Sequence, residues 1–360
     1  MDNRFHKPAK QRTHTNHVTA KIVLLVIFVS FAVTAAYAVR TLFVTKASID
    51  RTYSGKSATP VSSFSEQRPI SILLLGVDTG AEGRIDKGNS DTMIVATINP
   101  KIKRTLLVSV PRDTAAQLIG TKEFDMQKIN AAYNIGGSKM AKETVSSLLN
   151  VPINYYVTVN MGGLEQIVNA VGGVDVDVPF SFTSHYTGGQ SFTKGRMHLN
   201  GSMALAYARM RHEDEAKGDY GRQERQQQVI KAVLGKAMSL NGISHFTELL
   251  KSITGNLKTD LNFDDMVAIF SHYRGAAKNI DSDTLHGQNA YVQTSVYPYP
   301  LAYQIASTSE LQRVSDRIRS NLALDKISLN NAETKQNEKN SGFVFGSVNS
   351  NQTYYFFNMQ

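Results

Sequence analysis

Ser71-Ile72-Leu73-Leu74-Leu75-Gly76-Val77-Asp78 is an apolar run that stops on an acid. A second run, Met93-Ile94-Val95-Ala96, is headed by Asn89-Ser90-Asp91-Thr92, and a third, Leu106-Leu107-Val108, ends in Ser109-Val110-Pro111-Arg112-Asp113. Short continuous apolar runs bounded by turn residues read as buried strands. Asn99-Pro100-Lys101 is a turn signal between the second and third runs, which are therefore expected to form a hairpin. In each case a charged residue stands where the apolar pattern breaks. That pattern suits a site at the edge of a buried sheet.

Upstream, residues 1–21 are polar and basic, and Ile22 to Val39 carries no charge. Arg40 interrupts the stretch, which Thr41-Leu42-Phe43-Val44 extends. A helix needs about 20 apolar residues to cross roughly 30 Å of hydrocarbon. The preceding positive cluster predicts a cytoplasmic N-terminus and an external remainder. Ala36-Tyr37-Ala38 resembles a cleavage site, so a signal peptide competes with the anchor. The anchor is preferred because the stretch is long for a signal and continues past Arg40. Residues 45–68 have little apolar periodicity, several Ser and Thr, and Gly55 and Pro60, and read as a linker.

Downstream, Ile129 to Leu149 reads as a helix interrupted at Gly136-Gly137, and Ile153 to Val159 as a strand. Leu164 to Val171 is a short helix stopped by Gly172-Gly173. Val174 to Val178 alternates as a half-exposed strand, and Ser181 to Lys194 is a loop or hairpin. Further helices are expected over Ser202 to Met210, Arg222 to Leu240, Phe246 to Ile253 and Phe263 to Tyr273. In the second of these, Val229, Val233 and Ala237 form one apolar stripe. Asn262 is the expected N-cap of the last. Ala290 to Val296 is a late strand. Strands alternating with helices predict an α/β domain over residues 69–322, with helices on both faces of a central mixed sheet. Residues 323–360 are polar and Asn-, Ser- and Lys-rich and are expected to be mobile; the aromatic stretch Tyr354 to Phe357 has no explanation at this level.

The chain has no cysteine, which excludes disulfides and thiolate chemistry. Its net charge of +9 favours phosphates or a membrane surface, or is a solvated basic face. Asp78 and Asp91, at strand ends without nearby His or Cys, suit a hard cation such as magnesium, which takes one or two protein carboxylates. Alternatively each caps a turn. Arg112 offers a planar fork of donors to phosphate, or pairs with Asp113 on the surface. Arg209 and Arg211 form a second basic cluster with Arg222, Arg225 and Gln226 at the start of a long helix. A helix N-terminus favours anions, so arginines gathered there point to an anion bound between them. The competing reading pairs them with Glu213, Asp214, Glu215 and Glu224. There is no Walker-type phosphate loop, dinucleotide fingerprint, zinc-protease helix or nucleophile elbow. The histidines beyond the apolar span lack ligand spacing, and no interleaved basic and aromatic residues argue for nucleic acid.

Taken together, several stretches resemble the LytR–CpsA–Psr family of bacterial cell-envelope proteins. They are Leu74 to Asp78, Ser90 to Met93, Ser109 to Asp113, Lys128 to Tyr133, Val171 to Val174, Leu199 to Gly201, Ala206 to Arg211 and Asp219 to Gln226. The resemblance runs in order from Ile70 to about Leu240. It implies an α/β/α sandwich behind one transmembrane helix. It also implies a magnesium-dependent phosphotransferase that moves an anionic glycopolymer, teichoic acid or capsular or wall polysaccharide, from a polyprenyl-pyrophosphate carrier to peptidoglycan. The carrier lipid would lie in an apolar tunnel beneath the pyrophosphate site. Carried over by position, Asp78 and Asp91 are the metal ligands. Arg112, Arg209, Arg211, Arg222 and Gln226, with Lys128, hold the pyrophosphate. Asp219 is the candidate general base beside Arg112 as a catalytic group, and Arg84 and Arg225 are weaker additions. The implied location is the cell membrane, with the catalytic domain outside. Hydrolysis of the carrier pyrophosphate, and a non-catalytic carrier-binding or regulatory role, are the alternatives.

Overall fold

The structure is a computed structural model that describes residues 62–78, 88–184, 189–210, 218–240, 242–293, 298–347 and 351–359. The expected anchor at 22–44, the basic segment before it, most of the linker, Arg84 and Arg211 lie outside these residues. Among the described residues no helix is long and apolar enough to cross a membrane.

The three apolar runs become β1 (Ile70–Val77), β2 (Ser90–Asn99) and β3 (Arg104–Ser109). β1 pairs antiparallel with β2, and β2 antiparallel with β3. The expected β2–β3 turn closes with Asn99 Oδ1 accepting from the backbone N–H of Lys101 and Ile102. β4 (Ala115–Gln117) and β5 (Met126–Lys128) form a small hairpin before α1 (Ala131–Leu149). The interruption expected in that helix is a kink at Gly137, whose φ of 71° few other residues adopt. β6 (Tyr155–Asn160) then joins β1 in parallel. The Ser71 hydroxyl fixes this register by donating to Pro152 O while accepting from Asn154 N.

Next come α2 (Met161–Ala170), β7 (Val174–Val178), β8 (Phe182–Thr183), β9 (Ser191–Phe192), β10 (Gly195–Leu199) and α3 (Gly201–Arg209). They build a satellite core around Val176, Phe182, Phe192 and Tyr207. α4 runs from Gly218 to Ser239, so it starts a turn before the Arg222 expected from sequence. Gly218 enters with φ 57°, and Asp219 in the first turn complements the helix dipole. α5 (Ile243–Ile253), β11 (Leu257–Thr259) and α6 (Phe263–Tyr273) follow. α6 begins at the expected cap, where Asn262 and Asp265 form a reciprocal capping box. β12 (Ile280–Thr284), missed from sequence, pairs parallel with β3.

The central sheet has the order β11-β6-β1-β2-β3-β12. β1, β3, β6 and β12 run one way, and β2 and β11 the other. Alternation divides the side chains between two layers. Leu73, Leu75, Met93, Val95, Leu106 and Val108 pack with α1 and α8 (Thr308–Asn321). Ile70, Ile72 and Tyr155 face α5 and α6. The result is a mixed α/β fold with a central mixed sheet covered on both faces.

β13 (Gln288–Val292), β14 (Leu301–Ile305) and β15 (Thr353–Tyr354) make a further sheet. β13 replaces the late strand expected at Ala290 to Val296, of which residues 294–296 lie outside the description.

The tail expected to be polar and mobile instead folds onto the domain. α9 (Ala332–Lys339) starts at a capping box between Asn331 and Thr334. Buried Gln336 donates to Phe357 O and accepts from Phe357 N, at 2.6 and 3.0 Å. Asn340 does the same for Tyr355, at 2.9 and 3.0 Å. These carboxamides satisfy an extended backbone as a neighbouring strand would, so a polar sequence can still pack. Glu333 of α9 is also buried, and its Oε1 accepts from Gln117 N. Burial pushes its pKa above the ordinary 4.5, against the pull of the bonds from Gln117 N and its own N–H. Such an acid favours the folded state while protonated, below its ordinary value, and that contribution is lost as pH rises through the folded value. Glu333→Gln is therefore expected to raise stability at neutral pH and to change it little below pH 4.5. Urea unfolding at the two pH values measures this, and equal effects at both would reject burial of the charge as the cause.

Candidate active site

Candidate residues gather at the carboxyl ends of β1 and β3, where ligands bind in open α/β sheets. Asp78 directly follows β1. At the same end Gly76 pairs with Thr92 and Val77 with Ser90, so Asp91 is the extra residue of a bulge. Bulges re-aim a side chain and recur beside active sites. Gly76 is required by this approach, since a Cβ there would lie 2.9 Å from the Cβ of Thr92. β3 ends at Ser109, and Pro111 O accepts from Thr114 N across a turn that presents Arg112 and Asp113.

Arg112 Nη1 donates to Asp91 Oδ1 at 2.5 Å, with side chains 21% and 29% exposed. Its Nε lies 3.6 Å from Asp113 Oδ2, and Asp113 Oδ1 meets Lys128 Nζ at 2.8 Å. Arg112 thus bridges two aspartates, and the Asp113 pair expected as the bland alternative is the weaker contact. Lys128 also sits over the Tyr303 ring, 5.6 Å from its centroid. Burial works against the Arg112 charge, but Asp91, then Asp113 and Asp219, outweigh it and raise its pKa. The influence of Asp219 brings the start of α4 into the same electrostatic site.

On α4, Arg222 Nη2 lies 2.5 Å from Asp219 Oδ1, a close ion pair. Asp219 Oδ2 accepts from Gln223 Nε2 at 2.9 Å. Arg222 is only 5% exposed. Gln226 Nε2 reaches Ala208 O at 3.5 Å, next to Arg209 at the end of α3. Gln227, absent from the sequence-level site, donates to Ser109 Oγ and Asp283 O, both at 2.7 Å. It ties α4 to the ends of β3 and β12. Arg225 is 2% exposed, and its Nη2 donates to Met210 O at 2.5 Å. Burial lowers its pKa despite support from Tyr207 and Glu224. Arg225 is therefore a strut for the backbone carrying Arg209. No sequence signal separated its role from that of Arg222, because i to i+3 spacing puts both on one helix face and both are buried.

The described residues thus join Asp91, Arg112, Asp113 and Lys128 in one chain of contacts, and Asp219 with Arg222 in another. Asp78 and Arg209 stand at the adjoining element ends. Among the described residues, no group of three or more His, Asp or Glu could hold a metal. On the α5–α6 side of the sheet, Leu74 in mid-strand, Val157 and Val159 on β6, and Val267 on α6 are only half-buried.

A family model described as the LytR_cpsA_psr family matches residues 36–320. The chain is 41% identical over 303 residues to the polyisoprenyl-teichoic acid–peptidoglycan teichoic acid transferase TagU of Enterococcus faecalis, covering 84% of this chain and 96% of that protein. The crystal structure of protein gbs0355 from Streptococcus agalactiae superposes with a TM-score of 0.68 at 36% identity, covering 77% and 94% of the two chains. TagT bound to LIIa-WTA superposes with a TM-score of 0.58 at 28% identity, over 72% and 92%. With its motifs in family order and these matches along most of its length, the chain belongs to the LytR–CpsA–Psr family.

Proposed function

We propose that the protein is a membrane-anchored transferase. It moves an anionic glycopolymer of the teichoic-acid or wall-polysaccharide class from a polyprenyl-pyrophosphate carrier to peptidoglycan, through a phosphodiester. The Asp91–Arg112 pair carries the reading: a half-buried arginine fork at the carboxyl edge of the sheet, within Coulomb range of Asp219. The relative TagU is named for the same chemistry, and TagT is described bound to LIIa-WTA. The span at 22–44, with its basic N-terminal flank, is the proposed anchor, and the catalytic domain lies outside the cell.

In this reading Arg112, Arg209, Arg211 and Arg222, with Gln226 and Lys128, bind the pyrophosphate. Phosphoryl transfer depends mainly on positioning and charge stabilisation, which such a cluster supplies. The acceptor hydroxyl oxygen bonds to the phosphorus bearing the polymer, and its proton passes to the departing polyprenyl phosphate through solvent. The bond from that phosphorus to polyprenyl phosphate breaks. Both oxygens of Asp219 are engaged by Arg222 and Gln223, which supports positioning of Arg222 over the general-base role. The half-buried Leu74, Val157, Val159 and Val267 suit a prenyl chain.

Asp78 and Asp91 are the residues that would hold magnesium. Two carboxylates, completed by water and phosphate oxygens, are a donor set that ion accepts. Bound there, it would act as a Lewis acid toward phosphate oxygens. Asp78→Ala is expected to abolish magnesium stimulation together with turnover, read as transfer rate against magnesium concentration; retained magnesium-dependent transfer would count against Asp78 as a ligand. The function itself is tested with a defined lipid-linked polymer, with and without peptidoglycan oligomers. Polymer released to water at the same rate in both would favour hydrolysis.

A further inference from the structure

A groove of about 440 Å³ opens beyond the end of the β4–β5 hairpin that is remote from Lys128. Gln117 and Phe124 line it from the hairpin, Asn150 from the end of α1, and Asn330, Lys335 and Met359 from the C-terminal segment. Its walls are fixed. Gln117 N donates to the buried Glu333, and Asn331 Nδ2 donates to Ser147 O and Leu148 O. The facing side chains remain within reach of solvent: Gln117, Phe124 and Asn150 are half-buried, and Asn330 and Lys335 are exposed. The volume falls within the range of small-ligand sites.

The lining chemistry narrows the ligand. Carboxamides present donors and acceptors together, the pattern that reads hydroxyl and acetamide groups. Phe124 offers an apolar ring face. The lining has one cation and no carboxylate, so it is too weakly charged for a polyphosphate and too polar for a lipid chain. Sugar rings combine apolar faces with a hydroxyl rim and match both features. Phe124 is four residues from Lys128, so their Cα atoms are at most roughly 14 Å apart. The Phe124 edge of the groove therefore lies within a few sugar units of the Asp113–Lys128 pair, and its Asn150 wall stands at the far end of α1.

We propose that this groove, half of it built by the folded C-terminal segment, binds a stretch of sugar chain flanking the transfer site. The chain's origin rests on the transferase reading: it is the glycan strand of the acceptor or the sugar part of the cargo. The binding itself does not depend on turnover.

The full chain is titrated calorimetrically with two probes, peptide-free N-acetylglucosamine–N-acetylmuramic acid oligomers and lipid-free, phosphate-free oligomers of a wall polysaccharide. Ala332→Trp fills the groove from the first turn of α9, and Asn330→Ala with Lys335→Ala removes two exposed lining groups. Saturable binding of at least one probe is expected, weakened about tenfold or more by both variants. Polyprenyl-pyrophosphate binding should stay as in the wild type. The probe that binds identifies the source of the chain. Absence of saturable binding for both probes, or binding unchanged in both variants, overturns the proposal. Failed polymer transfer alongside variant-sensitive oligomer binding would sink the transferase reading and leave the groove standing.

Discussion

Arg112→Ala is expected to lower kcat for polymer transfer roughly 10²–10³-fold, the loss typical of removing one preorganised donor from a developing oxyanion. Arg112 is the residue at which the two halves of the site meet, since Asp91, Asp113 and Asp219 all act on its charge. Its guanidinium is partly solvated, so truncation leaves Asp91 accessible to water and should cost little stability. Arg112→Lys is expected to recover only part of the rate, because an ammonium keeps the charge but loses the planar fork. Initial rates, with circular dichroism to confirm folding, decide the matter. A well-folded alanine variant with near-wild-type activity would remove Arg112 from the phosphate clamp.

The second large effect concerns stability. Tyr354→Ala is expected to cost roughly 3–5 kcal/mol, as for other large aromatic-to-alanine changes in cores. Tyr354 is 1% exposed and meets Phe343 edge-on, with ring centroids 5.1 Å apart. Its hydroxyl donates to Asn337 Oδ1 at 2.7 Å, which ties β15 to α9. Tyr354→Phe should lose only about 1 kcal/mol, since it removes that bond and keeps the ring. Urea unfolding of both variants separates the terms. An alanine variant as stable as the wild type would show that the C-terminal segment contributes nothing to the folded domain.

The parts of the fold legible in the sequence were those written in apolar runs and caps. β1, β2 and β3 announce themselves through Ile72 to Val77, Met93 to Ala96 and Leu106 to Val108, and α6 through Asn262. β12 was not legible: Ile280-Asp281-Ser282-Asp283-Thr284 is polar because it is an edge strand, with Asp283 held by Arg313 and Arg317. The C-terminal segment folds despite its polar composition because Gln336 and Asn340 pack through hydrogen bonds, which composition does not reveal. In the site, Asp91 and Arg112 were legible as charges at strand ends, but their direct pairing was not. It depends on a bulge that places Asp91 opposite no residue of β1. The start of α4 was placed late because a charged stretch masks a helix whose first turn is stabilised by Asp219 rather than by apolar spacing.

The proposed transfer leaves a defined covalent product. The most direct measurement is mass spectrometry of peptidoglycan oligomers incubated with full-length protein, magnesium and a defined polyprenyl-pyrophosphate-linked polymer. A phosphodiester between polymer and glycan, formed together with polyprenyl phosphate and lost in Arg112→Ala, is the predicted result. Oligomers left unmodified by a folded, carrier-binding protein would overturn transfer to peptidoglycan as its activity.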